Sequence, residues 1–221
     1  MGLLKGSLVL LLFYLINFSL WEVLVGQDLM TPQWASFSVY LILFFVVLAF
    51  YWRELGSSWH KFREQLSSIP KFLVDLILWT IAGSALTLLI IFIFGDILGI
   101  ELLSENQENI TQVVHEIPAI LSFTMIALFG PIIEELVFRE GIFGWVNRSN
   151  RKLLIIMAVL SIILFDMIHV IQLAEFWYYL PMSLVLTGFY LKYERNVWSS
   201  ILLHMFNNAI GVILVLLQQS F

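Results

Sequence analysis

The chain has 221 residues, 61% hydrophobic and 12% charged, with a mean hydropathy of +0.94; soluble domains carry about 25% charged residues. That composition excludes a large-cored soluble domain. The net charge of −5 comes with no basic patch interleaved with aromatics, which excludes nucleic acid as a partner, and the absence of cysteine excludes disulfides, thiolate metal sites and a cysteine nucleophile.

What remains is an all-α integral membrane protein in a lipid bilayer, since backbone groups in lipid must be satisfied within helices. Seven apolar segments follow one another: Ser7–Val25, Ala35–Trp52, Phe72–Phe94, Ile117–Phe138, Leu153–Ile171, Phe176–Leu191 and Val197–Leu217. The first follows Lys5 as a signal sequence would, but it is too long and lacks a small-x-small cleavage site, so it reads as a retained span. Between the second and third lies Arg53–Lys71, which mixes Trp59 and Phe62 with basic residues. It reads either as a helix lying on the inner leaflet or as a solvated connector. Asp96–Glu116 is acidic and rich in Asn and Gln, and reads as an external loop with a short helix at most.

Charge fixes the expected sidedness. With seven spans, all eleven Lys and Arg residues fall on the side of the N-terminus. The opposite loops, Gly26–Trp34, Gly95–Glu116 and Gln172–Glu175, and the tail after Leu217 contain none. The positive-inside rule then predicts a multi-pass cell-membrane protein, N-terminus cytoplasmic and C-terminus outside. The expected architecture is a polytopic bundle of about seven helices with an internal polar cavity, one membrane domain over 1–221. Its motif-bearing core spans about 117–217, with the helices of 1–95 peripheral to it.

Three apolar segments carry polar groups that lipid penalises by several kcal/mol unless they are paired or hydrated. Gly130–Arg139 reads GPIIEELVFR. Residues four apart share a helix face, so Glu135 pairs with Arg139 while Glu134 faces elsewhere and remains the free carboxylate, suited to general-base work. Gly130-Pro131 is expected to loosen or kink this helix. In the second segment Phe165 precedes His169 by four, so that its ring can pack on the imidazole; in the third, His204 precedes Asn208 by four. Asp166 either accepts a hydrogen bond from His169 or faces a neighbouring helix. Glu134, His169 and His204 provide enough N and O ligands for a zinc ion with an open position, or for a water held without metal. Asn208 can donate to an oxyanion or orient His204. Each histidine alone is as easily an interhelical hydrogen-bond donor; three segments together favour one buried site. A difficulty attends the depth of these groups. In straight helices His169 comes about 25 Å from Lys152 at 1.5 Å per residue, whereas Glu134 and His204 lie toward the inner halves of their spans. Tilt, a kink at Gly130-Pro131 or a late helix start after Lys152 is needed to join them.

The ordered triplet Glu134-Glu135-Leu-Val-Phe-Arg139, Phe165-Asp-Met-Ile-His169 and His204-Met-Phe-Asn-Asn208 resembles the CPBP intramembrane proteases, also called the Abi or type II CAAX prenyl endopeptidase family. The resemblance covers the C-terminal half from Pro118. It implies a helical membrane fold with a conical cavity and peptide-bond hydrolysis by Glu134, His169, His204 and Asn208, supported by Glu135, Arg139, Phe165 and Asp166. It leaves open a metalloprotease or a glutamate-activated water. It implies a peptide or membrane-protein substrate, such as a bacteriocin or peptide pheromone. Two further readings stand beside it: a non-catalytic immunity protein that binds a bacteriocin or partner helix, and a proton-coupled transporter, which the lack of an inverted repeat disfavours.

Overall fold

A computed structural model describes residues 2–66, 68–97 and 105–218 of the chain. The described residues are helical throughout apart from turns. In chain order the helices are α1 (Gly2–Gly26), α2 (Pro32–Gln65), α3 (Ile69–Gly95), α4 (Glu105–Glu116), α5 (Ala119–Phe143), α6 (Arg151–Met167), α7 (Glu175–Lys192) and α8 (Val197–Gln218). Local chemistry sets several starts. Thr31 caps α2 by accepting from the Trp34 N–H (3.5 Å), with Pro32 in the first turn; Ser68 caps α3 and Asn150 caps α6.

Each expected apolar segment is a helix. Among the described residues, α1, α2, α3, α5 and α8 are long and apolar enough to cross a membrane. α6 has 17 residues, and α7 has 18 with Glu175 and Lys192 at its ends. α5 is the axis of the bundle: 56% of its most apolar window is buried, against 11–28% for the other four. Large apolar side chains such as Phe45, Leu78 and Ile155 point outward from the surrounding helices, as lipid contact requires. Phe13 packs edge-on against Phe138, and Phe44 stacks on Phe129, which pins α1 and α2 to the axis.

Three expectations are corrected. Arg53–Lys71 is neither a separate surface helix nor a connector along most of its length, because α2 runs unbroken for 34 residues to Gln65. Its buried stripe of Val39, Leu43, Val47, Tyr51, Leu55 and Phe62 continues past the basic residues. The segment Leu153–Ile171 is helical only to Met167, so His169 lies on a turn beyond the helix end. At Gly130-Pro131 the helical path is not broken; it is widened by π turns at Thr124–Phe129 and Leu136–Glu140 on either side of Gly130–Glu135. Such turns cluster at functional sites.

The polar cross-links fall into two ends. Lys5 pairs with Glu54 (2.5 Å), Lys192 with Asp75 (2.7 Å) and Arg148 with Glu194 (3.5 Å), while Asn196 donates to Ser58 O (3.0 Å). These segments were all assigned to one side from their Lys and Arg content. Glu194 and Arg195 adopt positive φ (53° and 61°), a conformation non-glycine residues reach at a cost. It is held in place by Arg148 on Glu194 O and by the Arg195 guanidinium on Val146 O and Phe143 O. The opposite end joins Trp21 to Ser36 (3.1 Å) and Glu105 to Glu175.

α1 meets the end of α5 through glycines. A Cβ at Gly6 would stand 2.2 Å from Gly141 O, and one at Gly2 would stand 2.8 Å from Trp145 Cβ. Gly2 and Gly6 form a small-xxx-small pair, which lets two backbones touch. Gly6→Val is expected to destabilise the protein by about 1–3 kcal/mol or more through overpacking, measured as a fall in melting temperature in detergent, while Gly56→Val, in open space, leaves it unchanged.

Candidate active site

A cavity of about 550 Å³ is lined by α2, α3, α4, α5, α6, α7 and α8. Glu134, Phe165, His169, His204 and Asn208 all line it. Glu134 sits mid-way along α5, 4% exposed. His204 lies two turns into α8, and His169 on the turn after α6.

The three charged motifs converge. Glu134 Oε2 stands 3.8 Å from His169 Nε2 and 3.7 Å from His204 Nε2. The depth difficulty is met at the end of α6 and not at its start, which remains at Arg151. Past Met167 the chain turns, the His169 N–H bonds Asp166 O (2.9 Å), and the imidazole is drawn back onto the last helical turn.

Hydrogen bonds fix both rings. His169 Nδ1 is 2.9 Å from Phe165 O, a carbonyl that can only accept, so Nδ1 carries the proton. His204 Nδ1 is 3.1 Å from Glu135 Oε1 and donates to it for the same reason. Both Nε2 lone pairs are therefore left for the space beside Glu134. Glu135 thus has a second partner that i,i+4 spacing did not reveal: besides Arg139 (Nε–Oε2 3.3 Å, both side chains fully buried) it orients His204. Phe165 does more than pack on His169 (centroids 4.9 Å). Its ring also contacts His204 (5.7 Å), and the Arg139 guanidinium lies 4.3 Å from its centroid.

Two residues take positions other than the simplest expectation. Asn208 donates through Nδ2 to Ile126 O (3.1 Å), within the first π turn, and so braces α8 against α5. Asp166 is fully buried but does not bond His169, whose Nδ1 is occupied by Phe165 O; among the described residues, neither of its carboxyl oxygens has a hydrogen-bond partner. Tyr40 of α2 was not singled out from sequence. Its hydroxyl stands 3.5 Å from Glu134 Oε1, and nothing in the apolar run FSVYLIL marks it. Tyr179 likewise stacks on His169 (5.2 Å, 29°).

The donor set of two imidazoles and a carboxylate is of the type that holds zinc, at about 2.0–2.2 Å per ligand, which places tetrahedral ligands about 3.3 Å apart. The distances to Glu134 here are wider, and among the described residues no group of three His, Asp or Glu stands close enough to hold an ion. As placed, these residues do not fit a metal.

With this geometry in view, the comparisons with known proteins are specific. The family model described as type II CAAX prenyl endopeptidase Rce1-like matches residues 116–210, the stretch that carries all three motifs. That stretch of the chain resembles the Rce1-like family. It is 31% identical over 159 residues to the putative membrane peptidase YdiL of Bacillus subtilis, covering 70% of this chain and 63% of that protein. It is 32% identical over 100 residues to UPF0177 protein YbdI of Lactococcus lactis, covering 45% and 52%. It is 25% identical over 165 residues to the membrane-embedded CAAX protease MroQ of Staphylococcus aureus, covering 72% and 64%. The chain therefore spans between half and two thirds of the length of these relatives. No solved structure matches it.

Proposed function

We propose that this chain is an intramembrane endopeptidase in which Glu134 activates a water lodged between its Oε2 and the Nε2 atoms of His169 and His204. The observation that carries the reading is the meeting of these three acceptor atoms at the wall of one cavity. The similarity of residues 116–210 to a peptidase family supports it. The proposed substrate is a peptide or a membrane-anchored tail, with bacteriocin or pheromone processing or self-immunity as its setting. The proposed orientation, N-terminus cytoplasmic, is supported by the gathering of Lys5, Arg148 and Lys192 at one end of the bundle.

Proton counting specifies the chemistry. Three acceptors face one point, and a water brings two hydrogens. A further proton on one imidazole completes the set. Glu134 then takes a proton from the water as its oxygen bonds the scissile carbonyl carbon. The imidazolium hydrogen-bonds the developing oxyanion, helped by the second amide hydrogen of Asn208. Collapse breaks the C–N bond as the imidazolium proton passes to the leaving nitrogen. The proton on Glu134 returns to the imidazole, leaving a carboxylic acid and an amine.

Internally quenched peptides test this with purified protein, with and without a chelator. Cleavage by wild type and none by Glu134→Ala is the expected result. Loss of cleavage with chelator would assign a metal to His169, His204 and Glu134. No cleavage by wild type across a broad peptide set, with bacteriocin binding retained, would favour the non-catalytic immunity reading.

A further inference from the structure

Glu175, the first residue of α7, is 1% exposed and lies outside the set used above. Its carboxylate accepts three backbone N–H groups. Oε2 takes those of Ile171 (2.6 Å) and Gln172 (3.3 Å); Oε1 takes that of Glu105 (2.6 Å). Ile171 and Gln172 belong to the turn that carries His169. Glu105 opens α4, the helix that presents Asn106, Asn109 and Val113 to the cavity. The Gln172 side chain adds a bond to Glu105 Oε1. Among the described residues, no Lys or Arg is paired with Glu175, so hydrogen bonds alone compensate its burial. Charge-assisted bonds of this kind are roughly twice as strong as neutral ones.

A second link runs beside the first. Asn106 Nδ2 donates to the Tyr179 hydroxyl (3.1 Å), and the Tyr179 ring stacks on His169. α4 is thus joined twice to one imidazole of the site. His204 is held from elsewhere, by Glu135.

We infer that Glu175 is a positioning residue for His169, and that through it the wall of the cavity formed by α4 and the placement of this imidazole are set together. His169 needs such a device because it lies beyond the end of α6, where no helical ladder holds it. The catalytic consequence rests on the endopeptidase reading; the structural coupling does not.

Glu175→Gln keeps the size and one acceptor oxygen but replaces the other with a donor facing an N–H. In protein reconstituted in lipid nanodiscs, amide hydrogen exchange is expected to quicken by about tenfold or more in both 105–113 and 169–174, with 199–208 unchanged. Asn106→Ala, which cuts only the Tyr179 link, is expected to give a smaller change in the same two segments. In the peptide assay Glu175→Gln is expected to lower kcat by about 100-fold, the effect of displacing a reacting group by about 1 Å, with KM within about threefold. Faster exchange in only one of the two segments, or in neither, overturns the coupling. Faster exchange throughout, 199–208 included, makes Glu175 a general stability residue and also overturns it. Faster exchange in both with kcat unchanged removes the positioning role. If wild type cleaves nothing, the endopeptidase reading fails while exchange still decides the coupling.

Discussion

Glu135→Ala is expected to destabilise the protein by about 3–5 kcal/mol, the cost of leaving a buried charge without its partner. Arg139 is fully buried, its Nε 3.3 Å from Glu135, and its remaining guanidinium nitrogens have no hydrogen-bond partner among the described residues. The Phe165 ring covers one face of its guanidinium. The double replacement Glu135→Leu with Arg139→Met removes both charges and is expected to recover stability to within about 1 kcal/mol of wild type or better, as apolar replacements of buried pairs do. Activity should not return. His204 would have lost the acceptor that sets its tautomer, and loss of such a partner typically costs 10–100-fold where the histidine binds a metal, about 1.4–2.7 kcal/mol. Reversible unfolding in mixed micelles and the peptide assay separate the two effects. A double variant that is both stable and fully active would show that Glu135 serves only to neutralise Arg139.

Glu134→Gln is the second large effect. The amide keeps the volume beside Gly130 and Tyr40 and can still accept from a water, but it cannot take the proton. Loss of a general base lowers kcat by about 10²–10⁴-fold. KM should stay within about threefold, because the cavity wall is unchanged and the side chain is only 4% exposed. The melting temperature should hold or rise, since a buried carboxylate is replaced by a neutral group. A variant that retains wild-type kcat would remove Glu134 from the chemistry, whatever becomes of the fold.

Local contacts were the ones legible in the sequence. Glu135 meets Arg139 and Phe165 meets His169 because residues four apart share a helix face, and hydropathy marked the apolar helices, though not the polar α4. The charges of Arg53–Gln65 mask the continuation of α2, although Val47, Tyr51, Leu55 and Phe62 keep the buried stripe to its end. Long-range placements left less trace. The bond from Glu135 to His204 links residues 69 apart, and that from Tyr40 to Glu134 residues 94 apart, so no periodicity encodes either. Glu175 resembled an ordinary loop acid, since its partners are main-chain N–H groups that every sequence contains. The reach of His169 depended on a turn after Met167 with neither glycine nor proline to announce it.

The benzyl group of Phe165 has an electrical consequence. A permanent cation lies against it on Arg139, while both imidazoles touch it, so six carbons act as an insulating spacer between the guanidinium and the His169 imidazole, whereas His204 is joined to Arg139 through Glu135. The field of that cation reaches the reaction centre, yet its N–H groups cannot compete for the nitrogen lone pairs there. A thinner or wetter residue at this point would short-circuit the arrangement, and an aliphatic one of equal bulk would keep the insulation while losing the quadrupole that draws the cation in.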